Sequence, residues 1–237
     1  MDWHTANTPL IIAHRGASAN APENTLGAFA LALEQGAHGV ELDVRLSADG
    51  NVVIMHDSTV DRTTNGSGAV AMLTADELRA LDAGQGQPVP TLDEVFEAFG
   101  PAMLYNIELK NGALLSDAME LAVADRIAAH HLENRVAVCS FNPLAVRRAR
   151  RHLPAGAMVG LVRQRGPRTL RHLLANAEAD HPHYSLVDEA YMTWARRRAY
   201  RVHVWTVDDA DEARRLAALG VHGIITNRPA LVRRALA

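Results

Sequence analysis

The sequence predicts an α/β fold, a (β/α)8 TIM barrel carrying a β-hairpin and a small insertion after its second strand. Three observations predict it. Short β-branched and apolar runs alternate with longer Ala- and Leu-rich amphipathic stretches, the pattern of parallel βα units rather than of a sandwich. Eight such pairs remain once one hairpin return is set aside, and 237 residues is an ordinary length for one barrel. No Gly-rich nucleotide fingerprint follows any strand, which argues against the alternative, a doubly wound open sheet.

The first strand is PLIIAH, residues 9–14, ending at His14-Arg15-Gly16. A helix over 25–35 follows, with Leu26, Phe29, Ala30 and Leu33 as its inner stripe and Gly36 as its stop. The stretch GVELDVRLSADGNVVIMHD, residues 39–57, holds the second strand. Only Arg45 to Asn51 separate its two apolar runs, too few residues for a helical crossover, and Asp49-Gly50 is hairpin chemistry. NVVIMHD is therefore expected to return antiparallel, outside the barrel, and to bring His56 down to the level of Glu41 and Asp43. Residues 58–90 complete an excursion of about 45–90, long enough to be a lid or a wall. Capping boxes at Thr74/Glu77 and Thr91/Glu94 mark two helices, the second being the true crossover. Strands are then expected at 103–110, 136–141, 157–162, 183–188, 202–207 and 223–227. Their helices are expected at 113–131, 143–152, 167–178, 189–199 and 208–219, with a last one ending at Leu236. The whole chain, 1–237, reads as one catalytic domain.

Composition excludes more than it selects. A net charge of -3 and 5% aromatic residues give no case for nucleic acid. The arginine clusters at 147–151 and 196–201 read as solvated helix faces. Cys139 is alone, which excludes an internal disulfide, and lies mid-strand as a small buried hydrophobe. No apolar run approaches the length of a membrane span and the N-terminus lacks a basic n-region. The expectation is a cytoplasmic protein without stable membrane insertion, monomer or homodimer.

Chemistry collects at the carboxyl ends of the strands. Alternation puts Glu41 and Asp43 on one face of their strand, and Asn106, Glu108 and Lys110 on one face of the next. Three carboxylates, Glu41, Asp43 and Glu108, then converge on one rim and require positive charge between them. Arg15 and Lys110 could supply part of it. An all-oxygen donor set suits one hard divalent cation, Mg²⁺ or Ca²⁺. His14 and His56 provide a general acid/base pair, and Arg15 and Lys110 could neutralise a phosphate. Without a Ser or Cys nucleophile in the set, phosphodiester cleavage is the reaction these groups suit. A zinc amidohydrolase would want His-x-His where this chain has His14-Arg15-Gly16. A barrel that had lost activity would lack one of these groups, and none is missing.

HRG (14–16), APENT (21–25), VELDVRLSADG (40–50), VVIMHD (52–57), DRTTNGSG (61–68), IELK (107–110), WTV (205–207) and GIITNRP (223–229) together resemble the glycerophosphodiester phosphodiesterase family. The resemblance runs from about residue 10 to 230. It implies a (β/α)8 barrel that cleaves glycerophosphodiesters to glycerol 3-phosphate and an alcohol. It implies that His14 and His56 are the acid/base pair and that Glu41, Asp43 and Glu108 hold Mg²⁺ or Ca²⁺. Arg15 would contact the phosphate, Lys110 the phosphate or the metal-side oxygens, and Trp205 would wall the glycerol end. It further suggests attack by the substrate's own glycerol hydroxyl, through a cyclic phosphate. A relative acting on lysophospholipids or sphingolipids is the alternative, with Val70, Met72 and Leu73 as its thin apolar candidate. Glu23 and Asn24 are expected to support the site or cap a helix. Where the family commonly has Asp in GxDGIITD, this chain has His222 and Asn227. Asn227 is expected to cap the final helix, affecting stability rather than chemistry, and His222 to be inert on the far rim.

Overall fold

A computed structural model describes residues 2–6, 8–112, 116–164 and 168–237. The chain begins with β1 (Leu10–His14), α1 (Leu26–Glu34), β2 (Gly39–Leu46) and the short β3 (Val52–Ile54). Helices α2 (Ala75–Arg79) and α3 (Leu92–Phe99) precede β4 (Leu104–Leu109) and α4 (Ala118–Ala129). Then come β5 (Val136–Ser140), α5 (Pro143–His152), β6 (Met158–Arg163) and α6 (Arg168–Ala175). Finally β7 (Ala179–Pro182), α7 (Glu189–Arg196), β8 (Arg201–Val204), α8 (Ala210–Leu219), β9 (Gly223–Thr226) and α9 (Pro229–Leu236) complete it. The residues expected to open the helices after β4 and β6 include 113–115 and 167, which lie outside the described residues.

Every neighbouring pair of strands is parallel except one. β1 pairs with both β2 and β9, which closes the sheet into a (β/α)8 barrel. The exception is β3, which runs antiparallel along the upper half of β2 with Val44 opposite Ile54. The hairpin expected from Asp49-Gly50 is thus present, and its return strand stands outside the barrel. Both capping boxes form, at Thr74/Glu77 and Thr91/Glu94, each with the reciprocal backbone bonds that satisfy two orphan donors. The excursion builds a small core of its own, in which Val60, Val70, Leu78 and Val89 pack on Val53 and Met55 of the returning segment. That packing fixes where the chain after β3 must lie.

The barrel interior is filled near the strand starts by Leu10, Ile12, Leu104, Met158 and Ala179, with Trp3 packed against them. The Trp3 indole donates to the Arg135 carbonyl at 2.8 Å, satisfying the one polar atom it buries. Burying each large aliphatic side chain contributes roughly 1.5–3 kcal/mol, so this closed end is rigid and the open end is left for chemistry.

One strand differs in position from the sequence expectation. HYSLVD, residues 183–188, was expected to be a strand, but β7 is Ala179–Pro182 and Tyr184–Leu186 form a single 3-10 turn. ADHP looks like a turn because it holds Asp and Pro. Yet Asp180 is buried on the helix-facing side, where Arg163 donates two hydrogen bonds to it at 2.9 and 2.6 Å and Tyr191 also bonds it. An ion pair takes the place of the apolar residue that pattern reading looks for. Burial works to raise the Asp180 carboxyl, but hydrogen bonds from His172 and Arg163 outweigh it and hold it at about 2. Its folded value is below its unfolded one, so the pair stabilises above about pH 4 and that contribution is lost as pH falls toward 2. Asp180→Ala leaves the Arg163 guanidinium buried and uncompensated. The expected cost is about 3–5 kcal/mol in denaturant unfolding near neutral pH. A cost below about 1 kcal/mol would mean that water or another acceptor replaces the carboxylate.

The arginine clusters also need correcting at two points, of which one is Arg201, half-buried at the start of β8 and donating to the Ala6 carbonyl at 2.9 Å. Arg147 and Arg196 to Arg198 are exposed as expected, but Arg148 is buried and paired with the buried Glu120 at 2.8 Å. It ties α5 to α4 rather than solvating a face.

Candidate active site

The open end of the barrel holds a cavity of about 140 Å³, lined among others by His14, Arg15, Glu41, His56, Glu108, Lys110 and Trp205. Asp43 stands beside it, so all eight side chains singled out in the sequence come together. Cross-strand register explains the grouping, since His14 is opposite Glu41, Glu41 opposite Asn106, and Asp43 opposite Glu108. Ligand oxygens of Glu41, Asp43 and Glu108 lie within 4.8 Å of one another, and all three side chains are buried. His56, two residues beyond β3, reaches the same cavity from the hairpin.

Charge in this cluster does not balance. Lys110 Nζ lies 2.9 Å from Asp43 and 2.5 Å from Glu108, and Arg15 Nε lies 3.2 Å from Asp43. Two cations therefore face three carboxylates. Asp43, held between both cations and by an Asn24 amide donating at 2.9 Å, stays low despite its burial. Burial and then the flanking carboxylates raise Glu41 well above its ordinary value. Burial likewise pushes Glu108 up to about 7, although Lys110 opposes the shift. Among the described residues, Glu41 receives a hydrogen bond only from the Arg15 backbone N–H, at 3.2 Å, and faces His14 Nε2 at 3.8 Å. The set is one positive charge short.

The HRG and PENT motifs shape this edge of the site. Gly16 has φ +83°, and a Cβ there would come within 2.7 Å of Ala28, so only glycine lets the loop press against α1. Thr25, not Asn24, caps α1. Asn24 instead holds Asp43, and Glu23 accepts from both Arg15 and Arg62. Arg62, from DRTTNG, also donates to Asp57 at 2.5 Å, and Asp57 accepts from His56 Nδ1 at 2.6 Å. An unbroken chain of charge-assisted contacts thus runs from the excursion into the acidic cluster. Both histidines are held below the ordinary range. Burial is the main cause for each, opposed at His56 by Asp43 and Asp57 and reinforced at His14 by Arg15.

The cavity wall also holds residues to which the sequence assigns no site role. His181 lies in the wall because β7 starts earlier than expected, and burial pushes it down to about 4. Phe141 packs edge-on against Trp205 at 5.5 Å, just past the end of β5. Cys139 is a buried wall residue whose thiol is raised far out of the reactive range by burial, as its mid-strand position suggested. Asn227 does not cap α9, whose N-cap is Arg228 without a side-chain bond. Instead Asn227 Oδ1 lies 2.7 Å from His14 Nδ1. His222 stays at the closed end, its Nδ1 accepting from the Val202 backbone.

Buried carboxylates, two cations and two histidines thus meet at the mouth of a (β/α)8 barrel, where barrel enzymes keep their active sites. Comparison with known proteins narrows that class. Residues 14–231 match the model of the glycerophosphoryl diester phosphodiesterase family. A glycerophosphodiester phosphodiesterase of Caldanaerobacter subterraneus subsp. tengcongensis is 40% identical over 230 residues, covering 93% of this chain and 94% of the relative. A solved structure of an Oleispira antarctica phosphodiesterase in complex with the product sn-glycerol-3-phosphate is similar at TM-score 0.88 and 31% identity, covering 96% of each chain. A putative glycerophosphoryl diester phosphodiesterase from Silicibacter pomeroyi superposes at TM-score 0.89 with 26% identity, covering 99% of this chain and 95% of that one. The chain belongs to the glycerophosphoryl diester phosphodiesterase family and is an enzyme of it.

Proposed function

We propose that the enzyme hydrolyses glycerophosphodiesters to glycerol 3-phosphate and an alcohol, with a divalent ion at Glu41, Asp43 and Glu108 and with His14 and His56 as its acid/base pair. The observation that carries this reading is the charge deficit: three buried carboxylates share one cavity with only two cations. Oxygen donors alone suit Mg²⁺ or Ca²⁺, and Glu41, lacking a cationic side chain against it, is the ligand that most needs the ion. Bound there, the ion would supply Lewis-acid polarisation and charge neutralisation. Arg15 and Lys110 line the same cavity and would be the cations that face the phosphate oxygens. Trp205, with Phe141 against its edge, offers an apolar wall to the glycerol carbons.

One histidine takes the proton of a glycerol hydroxyl as its oxygen bonds to phosphorus. The other protonates the departing alcohol oxygen as that P–O bond breaks. The cyclic phosphate is then opened by water with the roles reversed. The substrate is a small molecule. No described helix is long and apolar enough to cross a membrane, and we place the enzyme in the cytoplasm, as a monomer or homodimer. The lysophospholipid or sphingolipid alternative loses support, because Val70 of its apolar candidate is buried in the excursion core and leaves only Met72 strongly exposed.

A panel of glycerophosphodiesters and lysophospholipids, assayed for glycerol 3-phosphate or its acylated counterpart, tests the assignment. The deacylated substrates are expected to give kcat/KM at least about 10²-fold higher, equivalent to some 2.7 kcal/mol of transition-state discrimination. Equal or reversed preference would overturn it.

A further inference from the structure

His14 and His56 are held by different kinds of partner. His56 Nδ1 faces a carboxylate, Asp57. His14 Nδ1 faces an amide oxygen, Asn227 Oδ1, at 2.7 Å. Two further contacts fix which way that amide points. Asn227 Nδ2 donates to Asp208 Oδ2 at 2.5 Å, and Asp208 Oδ1 accepts from the Asn227 backbone N–H at 2.8 Å and from the Thr226 hydroxyl at 2.9 Å. A carboxylate only accepts, so the NH₂ end must face Asp208 and the oxygen must face His14. The Ser18 hydroxyl, 2.8 Å from the same oxygen and 2.7 Å from the His14 carbonyl, packs beside it. An amide oxygen cannot donate either. His14 must therefore carry its ring proton on Nδ1, and Nε2, on the Glu41 side 3.8 Å away, is left with its lone pair.

We propose that Asp208 and Asn227 are positioning residues that lock His14 in the Nδ1–H tautomer with Nε2 presented to the cavity, the form in which it can take a proton from substrate. The inference rests on the catalytic role proposed above for His14. Its logic runs through hydrogen-bond polarity: Asp208 can only accept, Asn227 passes that constraint across one amide, and the imidazole has a single tautomer that fits. Asp208 follows β8 and Asn227 follows β9, two adjacent strand ends, so the device is anchored on the barrel and not on the excursion. It also requires the pair to be one carboxylate and one amide. Two carboxylates at 2.5 Å would repel, and two amides would leave the amide free to turn.

The test uses the full chain with Mg²⁺ present and reads two things, the ¹⁵N resonances of the His14 ring (assigned with His14→Gln) and steady-state kinetics. The wild-type ring is expected as Nδ1–H. Asn227→Leu, which keeps the size and removes the acceptor, is expected to lose that tautomer. Its kcat should fall roughly 10²-fold with KM changed less than about 3-fold, the signature of a misdirected base. The exchange Asp208→Asn with Asn227→Asp keeps one carboxylate and one amide, and it is expected to retain the Nδ1–H tautomer and to keep kcat within about 10-fold of wild type. If Asn227→Leu fails to fold, the wild-type and exchanged proteins still decide the matter by their ring resonances. An Nε2–H ring in the wild type overturns the proposal. So does full kcat in Asn227→Leu while His14→Ala is inactive. Activity retained by His14→Ala would instead overturn the role of His14 itself.

Discussion

His56→Ala is expected to lower kcat by about 10²- to 10⁴-fold while KM for a glycerophosphodiester stays within about a factor of three. The expectation follows from where the hairpin puts this side chain. β3 is too short to add to the barrel and pairs only along the upper half of β2, so its continuation is delivered to the mouth of the cavity. There His56 is half-buried, oriented by Asp57 at 2.6 Å, with Arg62 holding Asp57 in turn and Glu23 holding Arg62. These contacts also hold the Asp57 carboxyl far below its usual range, chiefly the Arg62 bond. A group oriented this way acts on a proton in flight and contributes little to binding the ground state, which is why the loss belongs in kcat. Arg62→Ala should give a smaller loss, because Asp57 remains adjacent in sequence. Pre-steady-state measurement of alcohol release separates the two. A His56→Ala enzyme with unchanged kcat and raised KM would reassign His56 to substrate binding.

Glu41→Ala is expected to weaken Mg²⁺ or Ca²⁺ binding, measured by calorimetry, by at least about 10²-fold, and to abolish turnover at millimolar metal. Asp43 already has two cationic partners and Glu108 one, whereas Glu41 has a backbone N–H and an uncharged imidazole edge. Burial is the main cause that raises Glu41 and Glu108, so protons compete with a cation for these two carboxylates. Metal must displace those protons. Affinity should therefore fall as pH drops below about 7, the value to which burial pushes Glu108, and binding should release protons into a weak buffer. Metal affinity independent of pH between 5 and 8, or unchanged in Glu41→Ala, would move the ion elsewhere.

Much of this architecture is written in local pattern. Alternation placed Glu41, Asp43 and Glu108 on inward faces, and the seven residues from Arg45 to Asn51 ruled out a crossover before any geometry was known. What escaped was nonlocal. β7 was missed because Asp180 is buried by Arg163 across a strand and Tyr191 from a helix, partners no window of sequence contains. With that strand misplaced, His181 could not be seen in the cavity wall. Asn227 was assigned to a helix cap because it precedes Pro229, a sound local argument. Its actual partners, His14 and Asp208, lie 213 and 19 residues away and meet it only when the barrel closes. Asn24 takes the first of the two roles expected of it: Thr25 caps the helix and Asn24 holds Asp43.

The central claim, that buried carboxylates hold an ion beside a two-histidine acid/base pair, is tested most directly by one assay. Glycerol 3-phosphate release is measured for wild type and His14→Ala, each after chelation to remove divalent metal and again after adding Mg²⁺ or Ca²⁺. The wild type should lose activity on chelation and regain it with either ion, and His14→Ala should be inactive throughout. Turnover that survives both complete metal removal and the loss of His14 would contradict the account.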